Sequence, residues 1–95
     1  MKREDCIREL KIHGLAQQTL NSDGNQSWVL TNKAVDLISE CWTSMRERFP
    51  DASEEDVTSR ALIVFVLDRL GLVNRRNLPD YLAAIKALAA NWKAP

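Results

Sequence analysis

The 95-residue chain is sparing with the residues that mark special chemistry. It has one histidine, two cysteines, three glycines, three prolines and 6% aromatic residues. Two cysteines 35 positions apart, Cys6 and Cys41, have no CxxC spacing and cannot supply the four ligands of a structural zinc site. The single His13 stands at the end of an apolar-periodic segment. A general base or ligand role there competes with the simpler role of a partly positive side chain at a helix C-terminus. GxxxxGK[ST], GxGxxG and HExxH are all missing. Together these absences point away from an enzyme, and no cofactor or metal is expected. Charge of one sign is missing too. Thirteen basic and thirteen acidic side chains cancel, which gives no general pull toward nucleic acid or an anionic membrane.

Long apolar runs are also missing. No stretch approaches the roughly 18 apolar residues of a membrane span, and no apolar segment follows Met1-Lys2-Arg3-Glu4-Asp5 as in a secretory leader. With cysteines set among apolar neighbours, this reads as a cytoplasmic protein with two buried thiols. The small size suggests a bacterial or phage-like accessory protein. The 45% hydrophobic and 27% charged content fits one globular domain, residues 1–95.

What is present is mostly helical patterning. Glu4 to His13 carries Cys6, Ile7, Leu10 and Ile12 on or near one face, with Gly14 as a natural stop. Leu15 to Leu20 fits either a short helix or a strand. Residues 21–26 are turn chemistry, with Asp23-Gly24 tolerating positive φ. Ser27-Trp28-Val29-Leu30 reads as a short extended element, pairing back on 15–20 or with another chain. Thr31 or Asn32 then caps a helix with Val35, Ile38, Trp42, Met45 and Phe49 at spacings of three and four, closed by Pro50.

Ser53-Glu54-Glu55-Asp56 resembles a capping box, and seven apolar residues follow at Ala61–Leu67. On a helix those seven point in every direction, so the segment 53–70 predicts a buried central helix, covered by its own chain or by a second copy. Gly71 closes it. After the loop Val73–Arg76, Asn77 is a plausible cap for a last helix. Leu78, Leu82, Ile85, Leu88 or Ala89, and Trp92 form its stripe, with Pro79 and Asp80 in the first turn. The predicted fold is mainly α: about four helices around the central one, with a short strand near 27–30.

Three tryptophans exceed what a minimal core needs, and tryptophan anchors interfaces. Trp42 and Trp92 sit in core stripes, which leaves Trp28 as the candidate interface aromatic. Arg75 and Arg76, beside the start of the last helix, are candidates for an anion or partner contact.

Residues 25–72 resemble ribbon-helix-helix DNA-binding proteins. The strand Ser27–Leu30, the helix opening Thr31-Asn32-Lys33-Ala34-Val35-Asp36-Leu37-Ile38 and a second helix around Val57–Leu70 carry the resemblance. It implies a dimeric transcriptional repressor whose paired strands enter the major groove, with Asn25, Ser27 and Val29 facing DNA and the second helix in the dimer core. The charges run the other way. Over residues 25–76 seven basic side chains meet eight acidic ones, the candidate ribbon face carries no Lys or Arg, and Glu54, Glu55 and Asp56 crowd a helix start that would meet phosphate. The leading expectation is therefore a non-catalytic helical binding or regulatory module (an adaptor, inhibitor or accessory subunit). It would act through protein–protein contact and form a homodimer, with DNA as the alternative partner.

Overall fold

The computed structural model describes residues 3–71 and 75–95. The described residues form four α-helices and one two-stranded antiparallel sheet: α1 (Arg3–Ile12), β1 (Ala16–Leu20), β2 (Gln26–Leu30), α2 (Asn32–Arg48), α3 (Glu54–Arg69) and α4 (Leu78–Leu88). No helix among the described residues is long and apolar enough to cross a membrane.

Gly14 ends α1 in the left-handed conformation, φ +74°. Its N–H donates to the Lys11 carbonyl and the Leu15 N–H to the Leu10 carbonyl, the paired bonds of a Schellman stop, with Leu10 and Leu15 both buried. The chain then enters β1, which resolves the ambiguity of residues 15–20 in favour of a strand. β1 and β2 pair Ala16 with Leu30 and Gln18 with Trp28. Their turn is held by Asn21, whose Oδ1 accepts from the N–H groups of Asp23 (3.1 Å) and Asn25 (3.0 Å), and by Gly24 at φ +78°.

Thr31 joins this hairpin to α2. Its Oγ1 accepts from the Ala34 N–H (3.2 Å) as a helix cap and donates to the Gly14 carbonyl (2.7 Å), so one hydroxyl ties the end of α1 to the start of α2. At the far end of α2 the Arg46 guanidinium donates to the carbonyls of Pro50 (3.2 Å) and Ala52 (2.6 Å) and shapes the turn into α3. Ser53 caps α3 as its sequence predicts, its Oγ accepting from the Asp56 N–H at 3.1 Å.

Two features of the last segment differ from the sequence reading. Asn77 makes no side-chain cap bond and has helical dihedrals, because a 3-10 turn (Arg75–Asn77) already leads into α4. Trp92 is not on α4. The helix ends at Leu88, tightens through a 3-10 turn (Ala89–Asn91), and Trp92 is extended beyond it. That placement lets Trp92 Nε1 donate to Ser39 Oγ on α2 (3.0 Å), while Asn91 Nδ2 donates to the Leu30 carbonyl (3.0 Å).

The core is filled by Cys6, Leu10, Leu15, Leu30, Ile38, Val57, Phe65, Val66 and Ile85. It lies between the α2–α3 and α1–α4 helix pairs and the base of the hairpin. Both cysteines are free, buried thiols. The molecule measures 43 × 31 × 18 Å. At 18 Å its thinnest dimension holds about two helix layers, since one helix with side chains is about 10–12 Å across. A helix in a two-layer body keeps one side outward. In α3 that division is plain: Val57, Ala61, Leu62, Phe65 and Val66 are buried, while Ile63, Val64 and Leu67 are only half-buried within one copy.

Candidate functional site

Ile12 and Leu20 are the most exposed of the large apolar side chains among the described residues, and the outer side of α3 gathers half-buried ones on one stripe. Arg60, Ile63 and Leu67 recur at spacings of three and four, so they share one stripe. Among the described residues Val64 packs against the core edge, and Ile63 and Leu67 do not. Phe49, the residue after α2, lies alongside with 38% of its surface exposed, and the Arg60 guanidinium sits 4.3 Å from its ring centroid. Asp56, one turn before Arg60 on the same stripe, is exposed. The result is an apolar strip with one acid and one arginine at its head.

The opposite side of α3 is fastened by polar contacts. Trp42 Nε1 donates to Thr58 Oγ1 at 3.1 Å, and that hydroxyl donates to the Glu54 carbonyl at 2.8 Å. Arg69 meets Glu40 at 3.7 Å, an exposed pair of small energetic weight.

The residues singled out from the sequence do not converge on one place. Asn25 is exposed in the hairpin turn. Ser27 and Val29 are half-buried on β2 across from Thr19 and Gln17, and alternation puts them on the face opposite Trp28 and Leu30. That face carries no basic side chain within the two strands. Trp28 is half-buried against α1, its ring 5.8 Å from Lys11 Nζ. Part of the loop Val73–Arg76 lies outside the described residues, as does the Arg75 side chain. Arg76 is exposed. His13 is exposed beyond α1, and its carbonyl accepts from Lys33 Nζ at 3.4 Å. Sequence periodicity places Phe49 only on the α2 stripe; its closeness to Arg60 depends on how α2 folds back onto α3, which periodicity alone does not report.

The strand edges bear on the ribbon resemblance. The Thr31 N–H donates to the Leu15 carbonyl and the Asn21 N–H to the Asn25 carbonyl, so the even-numbered residues turn their backbone groups outward. One edge of β2 is therefore spent on β1 of the same chain. On its other edge the Leu30 carbonyl already accepts from Asn91.

Burial raises the thiol pKa values of Cys6 and Cys41 above their ordinary value, Asp80 adding to the effect at Cys6. Burial likewise raises that of the Tyr81 phenol. A thiol held protonated is a poor nucleophile. No group of three or more His, Cys, Asp or Glu side chains among the described residues is placed to hold a metal ion. Comparison with known proteins returns no matching family model, no matching curated protein and no matching solved structure.

Proposed function

We propose that the protein is a non-catalytic helical binding module that acts by protein–protein contact, and that the outer strip of α3 is its contact surface, with a second copy of the chain as the first occupant. The observation that carries this reading is the half-buried pair Ile63 and Leu67, on the same stripe as Arg60, which meets the exposed Phe49. Self-pairing suits the strip. With Asp56 and Arg60 one turn apart on the same stripe, a two-fold axis beside them sets the acid of each copy against the arginine of the other. Fully burying an aliphatic side chain stabilises by about 1.5–3 kcal/mol, and half of that remains for Ile63 and Leu67 in each copy, roughly 4 kcal/mol for a pair of copies. After the cost of association this supports a weak, concentration-dependent dimer rather than an obligate one.

The test is mass in solution from about 10 μM to 1 mM, a range chosen to bracket weak affinities. The mass is expected to rise from 10.8 kDa toward twice that value, and Ile63→Lys with Leu67→Lys is expected to hold it at the monomer. A single-copy mass throughout overturns the self-pairing. The alternative, a two-chain DNA-binding ribbon, needs β2 to pair with its counterpart, and β2 has no free edge at Leu30. Titrating duplex DNA at about 50 and 200 mM salt separates the two, since phosphate-driven binding weakens steeply across that range. The binding-module reading expects no such binding.

A further inference from the structure

The three tryptophans differ in one respect. Trp42 and Trp92 each donate their indole N–H to a protein hydroxyl, Thr58 and Ser39. The Trp28 N–H has no acceptor among the described residues, and it is not a buried, unsatisfied donor. It is therefore open to solvent. Trp28 forms one wall of a cleft of about 380 Å³ whose other wall is α1, lined by Arg3, Glu4, Ile7, Arg8 and Lys11. Helical spacing explains the lining, because positions 3, 4, 7, 8 and 11 fall on one side of α1. The hairpin register supplies the indole, since Trp28 shares the inner face of β2 with the buried Leu30.

The chemistry of this cleft is unlike that of the rest of a charge-balanced chain. Three cations and one carboxylate surround a flat ring with an apolar floor at Ile7. Lys11 Nζ stands 5.8 Å from the ring centroid, and among the described residues Arg8 makes one ion pair, an exposed one with Asp5 at 3.6 Å. An aromatic platform beside exposed cations is the combination that holds a nucleotide: the base stacks, and the phosphate takes the guanidinium and ammonium. The volume accommodates one ring and one phosphate.

We propose that this cleft is a binding site for a nucleotide unit, with the base against Trp28 and the phosphate between Arg8 and Lys11. The site is separate from the outer strip of α3, so either proposal can fail without the other.

The test titrates the full chain at low salt with adenosine monophosphate and with a thymidine octanucleotide, reading tryptophan fluorescence. Saturable quenching with a Kd below about 1 mM is expected for both. Trp28→Phe removes the quenching, because the other two indoles do not line the cleft and have their N–H groups on Thr58 and Ser39. Lys11→Gln, an exposed change that spares the fold, weakens binding about tenfold, the loss of one charge-assisted contact. An octanucleotide that binds more than about tenfold tighter, with a steep salt dependence, identifies single strands as the source of the unit; similar affinities identify the free nucleotide. The site is overturned by no saturable change up to about 10 mM, far weaker than any specific site of this kind. Equal quenching in Trp28→Phe also overturns it, as does inorganic phosphate or a tyrosine-containing polyglutamate peptide binding as tightly as the nucleotide.

Discussion

Alanine substitutions at three positions of α3 separate the side its own chain covers from the side left open. Phe65 has no exposed surface, and Ile63 lies two residues before it, turned the other way. Phe65→Ala deletes a ring from the centre of the core and leaves a cavity its neighbours close only in part, at a cost of about 3–5 kcal/mol. For a chain of this length, whose whole stability is about 5–10 kcal/mol, that is a large fraction. In a single copy Ile63→Ala and Leu67→Ala each forfeit only the half-burial they have, about 1 kcal/mol. A second copy on the outer strip changes the arithmetic, because association adds stability by mass action, up to about 2.7 kcal/mol per dimer over a hundredfold rise in concentration above the dissociation constant. The cost of Ile63→Ala and Leu67→Ala then grows with protein concentration, while Phe65→Ala stays costly at both. Urea unfolding followed by far-UV circular dichroism at about 2 and 200 μM reads both effects, one as a midpoint shift and the other as its concentration dependence. If Ile63→Ala is as costly as Phe65→Ala at the lower concentration, the strip is covered within one copy and the reasoning from burial fails.

Thr31→Ala removes both the cap on Ala34 and the bond to the Gly14 carbonyl; about 2 kcal/mol and a fall in Tm of roughly 10 °C are expected in thermal melts, while Thr31→Ser retains most of both. Cys6 and Cys41 should react slowly with a thiol reagent near pH 8 and readily once the chain is unfolded, because burial raises both pKa values. The same shift sets a pH dependence. The unfolded thiols ionise first as pH passes their ordinary value of 9.0, so their contribution to stability is intact below that value and is lost as pH rises through the folded-state pKa, a decline that urea titration at pH 8 and pH 10 detects.

The helices were legible because their signals are local. Thr31 and Ser53 as caps, Gly14 as a stop and Pro50 as a barrier each act within a turn of where they stand, and α1, α2 and α3 begin and end close to where those residues place them. The start of α4 was misread for the same reason in reverse. Asn77 has the composition of a cap, but the 3-10 turn ahead of it holds its backbone in helical dihedrals, from which its side chain makes no cap bond. Trp92 fitted the 3.6-residue period of the last helix, yet the chain leaves the helix at Leu88 and spends that indole on Ser39 of α2. A contact between residues 53 positions apart leaves no trace in periodicity.

The candidate surface was hidden by a related limit. Seven consecutive apolar residues show that α3 asks for cover in every direction, and they carry no preference among directions, so the run alone cannot say which side stays open. The choice falls to partners far along the chain. Thr58 draws one side of α3 onto Trp42, and Phe65 and Val66 turn into the core, which leaves Ile63 and Leu67 outward on the stripe of Arg60. The same long-range contacts decide the fate of the hairpin. A two-chain ribbon would leave the strand for a second chain; here β2 closes on β1, and Asn91, 61 positions away, takes the carbonyl of Leu30. Pairing a second chain along the outer edge of β2 would have to displace the Asn91 bond to the Leu30 carbonyl, whereas association through α3 breaks none. That difference in cost, rather than the apolar character the two elements share, is the reason to look for a second copy on the helix.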